Sequence, residues 1–310
     1  REVLRRDLPD LVGENGTILQ EWKRVFAREP GYDIFTDTLA FTTASVDSVN
    51  QAMRVSHKAE ADQMYVDRYV VFFGPKTLEA VHPAEGSRPL RIAAWQHSSV
   101  GRDVNVRILH ELGADATGVG RVDLERGGKF VAVDSEDVQK EHLAMVAAAV
   151  YEYYEKNGTI PDVVVSWDGD ADRPLMFHID VKTNAQGVPV KADGKLQVQV
   201  TFYRGDILNV LAAKYLKADA VVTPVSANLA VEAVMKELGI PYKKTKIGSP
   251  EVIAAGEKFV NVFSKKRVVI WEVNGGLILM SDIELNGKIM EKLPTRDAML
   301  PILCALKMMT

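Results

Sequence analysis

Apolar residues recur at helical spacing in two early stretches, TILQEWKRVFARE (17–29) and SVDSVNQAMRVSHKAEADQMYVDRYVVFF (45–73), with little alternation between them. Both predict helices. From Leu90 the pattern becomes strand, loop, helix. LRIAAW (90–95) is a short apolar run, QHSSVGRD (96–103) a polar turn, and VNVRILHELG (104–113) an amphipathic helix closed by Gly113. A helix over 134–156 follows, with Asp134 or Ser135 as its cap and Asn157-Gly158 as its stop. VVVSW (163–167) then reads as a strand buried on both faces. Residues 180–202 read as a hairpin excursion, with period-two alternation in KLQVQVTF.

A second series begins at 203. Helices are predicted over 203–216, 228–239 and 249–259, the last with Ser249 as N-cap and Pro250 at its first position. Strands are predicted over 220–226, 242–248 and 267–273, and the chain ends in a helical pattern, TRDAMLPILCALKMM. Strands alternating with helices imply mostly parallel sheets with right-handed crossovers. The fold class expected is therefore α/β: two tandem three-layer units with mixed, mostly parallel sheets, behind a mainly helical N-terminal segment. The two series have the look of a diverged repeat, although no identity between them is visible.

Composition narrows the function. With 47% apolar and 26% charged residues, the 310-residue chain can build a core in each of about two domains. A net charge of −4 gives no electrostatic footprint for nucleic acid or an anionic membrane. Cys304 is the only cysteine, which fits a reducing, cytoplasmic setting. The longest strongly apolar helical run, LAMVAAAV (143–150), is far short of a membrane span. A first residue of Arg rather than Met, and a last residue inside a helical pattern, give the expectation of a fragment.

The stretch that carries chemistry is VVVSWDGDADRP (163–174). Asp168, Asp170 and Asp172 stand at alternate positions after a strand, where an open α/β sheet places its ligand sites. In an extended loop such residues turn the same way, so three carboxylate oxygens can converge on one hard cation, which relieves their mutual repulsion. An EF-hand would need Gly and Glu where Arg173 and Ile179 stand. A D-x-D-x-T nucleophile loop would need Thr at Asp172, and GVGRVD (118–123) lacks the third glycine of a dinucleotide fingerprint. What remains is a three-aspartate Mg²⁺ site with Arg173 beside it to meet anionic oxygens.

DGDADR resembles the metal loop of the α-D-phosphohexomutases, in which three aspartates hold Mg²⁺ against a phosphoserine and the arginine lies in the active site. WEVNGG (271–276) resembles that family's sugar-recognition loop. The likeness makes Glu272 an acceptor for vicinal sugar hydroxyls, with Asn274 and Gly275 beside it; Gly276 stands where many members carry His. KTKIGS (244–249) resembles the K-x-G segment, which makes Lys246 a phosphate or sugar contact. RGD (204–206) resembles the opening of the third domain, TRDAML (295–300) the helix after the sugar loop, and QHSSVGRD a loop of the second domain. The resemblance covers roughly 85–310. It divides the chain into 1–84 (the tail of a first domain, or an insertion after it), 85–202 with the metal loop, and 203–310 with the sugar loop.

The family's reaction moves a phosphoryl group between the 1- and 6-positions of a hexose phosphate, through a phosphoserine and a hexose 1,6-bisphosphate. The resemblance thus implies a hexose phosphate as partner and Mg²⁺ as cofactor. No T-(A/G)-S-H-N-P-like loop stands in the chain; FTTASVDSVN (41–50) offers Ser45, but Val46-Asp47 replaces His-Asn. The phosphate-binding loop of a fourth domain would lie beyond Thr310. The chain alone is therefore expected to keep the metal and sugar contacts without turning over. A Mg²⁺-dependent phosphatase or nucleotidyl transferase, and a non-catalytic sugar-phosphate binder, remain as other readings of the same loop.

Overall fold

The computed structural model describes residues 46–79 and 88–309, with side chains from residue 58 onward. The predicted helix 17–29, the segment boundary near residue 84 and Ser45 lie outside the described residues. Contacts divide the chain into units 1–61 and 62–310, and both sheets belong to the second. The long helix α1 (Val46–Phe73) leads into it.

The second unit holds two five-stranded sheets. The first contains β1 (Arg91–His97), β2 (Asp115–Arg121), β3 (Val163–Trp167), β4 (Pro174–Val181) and β7 (Val198–Tyr203), in the order β2-β1-β3-β4-β7. Its first three strands are parallel, joined by α2 (Arg102–Glu111) and α3 (Lys140–Asn157), whereas β4 and β7 run antiparallel. A small hairpin, β5 (Lys191–Ala192) and β6 (Lys195–Leu196), interrupts the sequence between them.

Helix α4 (Gly205–Tyr215) opens the second series. Its strands are β8 (Ala220–Pro224), β9 (Tyr242–Thr245), β10 (Val268–Trp271), β11 (Leu277–Leu279) and β14 (Leu293–Asp297), in the order β14-β11-β10-β8-β9. Crossovers α5 (Leu229–Glu237) and α6 (Ser249–Asn261) keep β8, β9 and β10 parallel, and β11 and β14 turn antiparallel. Again a hairpin, β12 (Ile283–Leu285) and β13 (Lys288–Met290), sits between the last two strands. Helix α7 (Met299–Met309) follows. From the β2 and β9 edges, both sheets run second, first, third, fourth, fifth. The repeat suspected from the strand and helix pattern is thus present as topology. It puts the metal loop and the sugar loop at equivalent places, each between the third and fourth strands.

Strand alternation distributes the core. Val163, Val165 and Trp167 face one way, into a cluster shared with Val269 and Trp271 of the second sheet and with α1, α4 and α7. Val164 faces the other way, under α3 with Trp95 and Phe177, while Val222 and Ile270 lie under α6. The eight residues Met299–Leu306 are all buried, so α7 is a central element of the shared core.

Asp297 ties this arrangement together. Its Oδ1 accepts from the Tyr69 hydroxyl at 2.8 Å and from the backbone N–H groups of Met299 and Leu300, capping α7. Burial pushes this carboxyl upward, partly offset by the Tyr69 hydroxyl. Tyr69→Phe removes the hydroxyl donor while keeping the ring. It is expected to cost about 1–2 kcal/mol in urea denaturation, because a buried acceptor then loses a partner.

Several elements differ from the sequence reading. Helix α3 starts at Lys140, capped by Gln139, rather than near 134. Ser135 is unavailable as a cap because its hydroxyl bonds to the Asn274 carbonyl, and Asp134 lies beside Arg173. Ser249 does not cap α6 either, since that cap is Gly248 and the Ser249 hydroxyl turns to Glu272. TRDAML is not all helix: Arg296 and Asp297 end β14, and the helix begins at Met299.

Candidate metal and sugar-phosphate site

Loop 168–173 is a tight reversal between antiparallel strands, with Trp167 opposite Pro174. The Asp168 N–H donates to the Arg173 carbonyl at 3.2 Å, and the Ala171 N–H to the Asp168 carbonyl. Ala171 adopts φ +65°, a left-handed conformation that costs a non-glycine residue of order 1 kcal/mol or more and that clusters at functional sites. The aspartates therefore converge because the loop folds back, and not because it is extended. Asp168, Asp170 and Asp172 each present a carboxylate oxygen within 4.8 Å of the other two.

Asp168 is 6% exposed, and its Oδ1 accepts from the Asp172 and Arg173 N–H groups, each at 3.1 Å. Burial above all, and then the charges of Asp170 and Asp172, push its carboxyl up to about 7 against those backbone donors. Arg173 offsets part of the charge: its Nε lies 3.5 Å from Asp168 Oδ2 and 3.6 Å from Asp172 Oδ1, and its Nη1 lies 4.0 Å from Asp134 Oδ1. Asp172 Oδ1 and Arg173 Nε are nonetheless buried without a hydrogen bond. Three hard oxygens, one of them buried and unsatisfied, fit a divalent cation of the Mg²⁺ or Mn²⁺ kind.

The WEVNGG loop is held from several directions. Trp271 at the end of β10 donates Nε1–H to Asp206 Oδ1 at 3.0 Å, and Asp206 Oδ2 accepts from the Asn228 N–H, so the aspartate of the RGD stretch is a buried brace. The Glu272 side chain is 13% exposed, and its Oε2 accepts from the Ser249 hydroxyl at 2.5 Å. Asn274 uses Oδ1 to accept from the Gly276 N–H, and its carbonyl accepts from the Ser135 hydroxyl at 2.7 Å. The Gly275 carbonyl accepts from Asn209 Nδ2 at 2.8 Å.

The two loops meet. Pro174, which follows Arg173 directly, lies against Gly275, and Arg296 donates Nε–H to Asp172 Oδ2 at 2.6 Å with its Nη1 3.6 Å from Glu272 Oε2. The structure thus brings Asp168, Asp170, Asp172, Arg173, Glu272, Asn274 and Gly275 into one neighbourhood. Lys246 is exposed, and no hydrogen bond or ion pair among the described residues joins it to either loop. Its neighbour Ser249 makes that connection instead. QHSSVGRD braces the metal loop, with the Val100 N–H on the Gly169 carbonyl at 3.0 Å and the His97 ring 2.6 Å from the Trp167 carbonyl.

Sequence reasoning missed Arg296, Ser135, Asn209 and Ser249. Arg296 was legible only as part of TRDAML, Ser135 and Ser249 only as helix caps and, for Ser249, as the end of KTKIGS, and Asn209 not at all; the partners of Ser249, Asn209 and Ser135 lie 23, 66 and 139 residues away.

Comparison with known proteins agrees with this fold. Residues 67–180 match the model of phosphoglucomutase/phosphomannomutase α/β/α domain II, and residues 204–310 match that of domain III. The chain belongs to the phosphoglucomutase/phosphomannomutase family. A phosphomannomutase of Sinorhizobium fredii is 35% identical over 252 residues, covering 81% of this chain and 44% of the relative. A phosphomannomutase of Salmonella muenchen is 34% identical over 251 residues, covering 79% and 42% respectively. The chain therefore spans less than half the length of these phosphomannomutases. The crystal structure of a phosphoglucomutase/phosphomannomutase family protein of Burkholderia thailandensis superposes with a TM-score of 0.51 at 16% identity, over 79% of this chain and 43% of that one. That likeness concerns the fold. Among the described residues, no helix is long and apolar enough to cross a membrane.

Proposed function

We propose that this chain carries the metal- and sugar-binding half of a phosphohexomutase active site of the phosphomannomutase/phosphoglucomutase type. The enzyme would interconvert hexose 1-phosphate and hexose 6-phosphate through a phosphoserine and a hexose 1,6-bisphosphate, in the cytoplasm, with Mg²⁺ as cofactor. The observation that carries the reading is the meeting of the aspartate loop and the Glu272 loop across two sheets, bridged by Arg296 and packed through Pro174 on Gly275.

Asp168, Asp170 and Asp172 would hold Mg²⁺, which when bound would supply positive charge for a transferring phosphoryl group. The Arg173 guanidinium, beside two of these carboxylates, would meet phosphoryl oxygens as negative charge develops. Glu272 accepts hydrogen bonds from vicinal hydroxyls, and the backbone of Asn274 and Gly275 fixes the ring's distance from the metal loop. Because that backbone is tied down by Ser135 and Asn209, the pocket is preorganised before substrate arrives. Lys246, an exposed cation, would be the contact for a second phosphate. No T-(A/G)-S-H-N-P-like loop is present to supply the phosphoserine, so the chain by itself is expected to bind and not to turn over.

Calorimetric titration with mannose 1-phosphate and glucose 1-phosphate tests this. Binding is expected in the presence of Mg²⁺, and Asp170→Asn should weaken it at least ~10-fold. An affinity unchanged by both the substitution and a chelator would sink the metal assignment. Release of inorganic phosphate, followed by ³¹P NMR, would instead favour the phosphatase reading.

A further inference from the structure

The ion pairs of Arg296 join groups that the proposed mechanism treats separately. Its Nε–H meets Asp172 Oδ2 at 2.6 Å, and its Nη1 lies 3.6 Å from Glu272 Oε2. One guanidinium therefore touches a cation ligand on one sheet and the hydroxyl acceptor on the other. A planar fork holds Nε and Nη donors at a fixed separation toward the two carboxylates, whereas an ammonium presents one rotatable centre. The contact on Asp172 is also directional. With Oδ2 taken by Arg296, the buried Oδ1, which has no hydrogen bond, is the oxygen left for the cation.

The position of Arg296 is fixed at both ends. Asp297, the next residue, is buried and bonded to Tyr69 and to the start of α7. The aliphatic stem lies over Gly276, where an added Cβ would fall 2.7–2.8 Å from Cβ, Cγ and Cδ of Arg296. Gly276, the site at which many relatives were expected to carry His, thus leaves the space that the arginine stem fills. A side chain at 276 and the bridge at 296 exclude each other.

We propose that Arg296 is a positioning residue that couples the two loops, orienting Asp172 for the cation and Glu272 for the sugar, so that divalent cation and hexose phosphate bind cooperatively. The inference rests on the proposed function, because it takes the ligand of the Glu272 loop to be a hexose phosphate. By linkage, each ligand tightens the other by the same factor.

The test is a double titration of the full chain, measuring glucose 1-phosphate affinity with and without saturating MgCl₂, and Mn²⁺ affinity by electron paramagnetic resonance with and without glucose 1-phosphate. The wild-type chain is expected to show mutual tightening of about 10-fold. Arg296→Lys, which keeps the charge and loses the fork, should bring the factor below about 2-fold while each ligand still binds alone. Arg296→Gln should do the same. If Gln is poorly folded in thermal melts, the Lys variant decides. A factor that persists in Arg296→Lys, or is absent from the wild type although both ligands bind, would overturn the proposal and leave the functional reading standing. A wild-type chain that binds Mn²⁺ and no hexose phosphate would overturn both.

Discussion

Asp168→Asn is expected to abolish saturable divalent-cation binding and, in the same protein, to raise the thermal stability of the cation-free fold. The two effects share one cause. Asp168 is buried, its partners in charge lie within 4.8 Å, and its carboxyl is pushed up to about 7. An asparagine of the same shape keeps an oxygen to accept from the Asp172 and Arg173 N–H groups. It gives up the 3.5 Å pairing with Arg173 Nε, which in the native loop does not suffice to offset burial and the two neighbouring charges. Removing the charge should therefore gain about 1 kcal/mol at pH 8 in chelator, a figure kept small because the loop is open to water on one side. The sign with pH follows from the raised folded-state value. A carboxyl harder to ionise in the folded than in the unfolded chain contributes stability at acid pH that is lost as pH rises through about 7. The advantage of Asn should thus be absent at pH 4 and grow toward pH 8. Added Mg²⁺ should invert the order, since only the wild type gains from binding, by about 2.7 kcal/mol at a hundred times Kd. Differential scanning calorimetry of both proteins, with chelator and with Mg²⁺, checks all three statements. A variant less stable than wild type in chelator would make Asp168 a structural residue of the turn.

How much of this could be read beforehand depended on the range of the interactions. The parallel strands were legible where apolar runs are dense, as in VVVSW, because a strand covered on both faces needs little else. β2 was not recognised: DATGVGR is short of apolar residues, and its strand character comes from pairing with β1 along its whole length. The aspartate loop stood out because three like charges in five residues require an explanation within the loop itself. Its geometry was misjudged, since convergence comes from the reversal at Ala171 and not from alternation in an extended segment. The caps misread at Ser135 and Ser249 share one reason: both hydroxyls bond across to the sugar loop, to the Asn274 carbonyl and to Glu272. A serine ahead of a helix is a good cap locally, but the long-range partner won in both places. Arg296 was hidden for the same reason, with its contact on Asp172 lying 124 residues away in sequence.

Gly275→Ala is expected to be among the most damaging single-methyl changes in the protein, at about 3 kcal/mol, and Gly205→Ala to cost about 2 kcal/mol for a related reason. The two glycines face each other where α4 starts against the sugar loop. A Cβ on Gly205 would lie 2.3 Å from the Gly275 Cα, and a Cβ on Gly275 would lie 2.7 Å from the Gly205 Cα. In both cases the obstacle is backbone, which cannot swing aside as a side chain end can. Gly275 carries a second cost, because its φ of +90° is one that an L side chain rarely adopts. Its remaining neighbour is Pro174, whose ring lies 3.2–3.3 Å from the added methyl, so the displaced loop cannot move toward the metal loop either. It must move away from α4, which breaks the 2.8 Å bond from Asn209 to the Gly275 carbonyl and shifts Glu272 relative to Asp168. Because the two substitutions spoil one approach, their costs should not add: once Gly205→Ala has pushed the loop out, the clash component of Gly275→Ala is already met and only the strain remains. A double variant measured in urea should therefore fall at least about 1 kcal/mol short of the sum. Full additivity would mean that the two backbones do not share this contact, and that the loops are set apart by Arg296 and Pro174 alone.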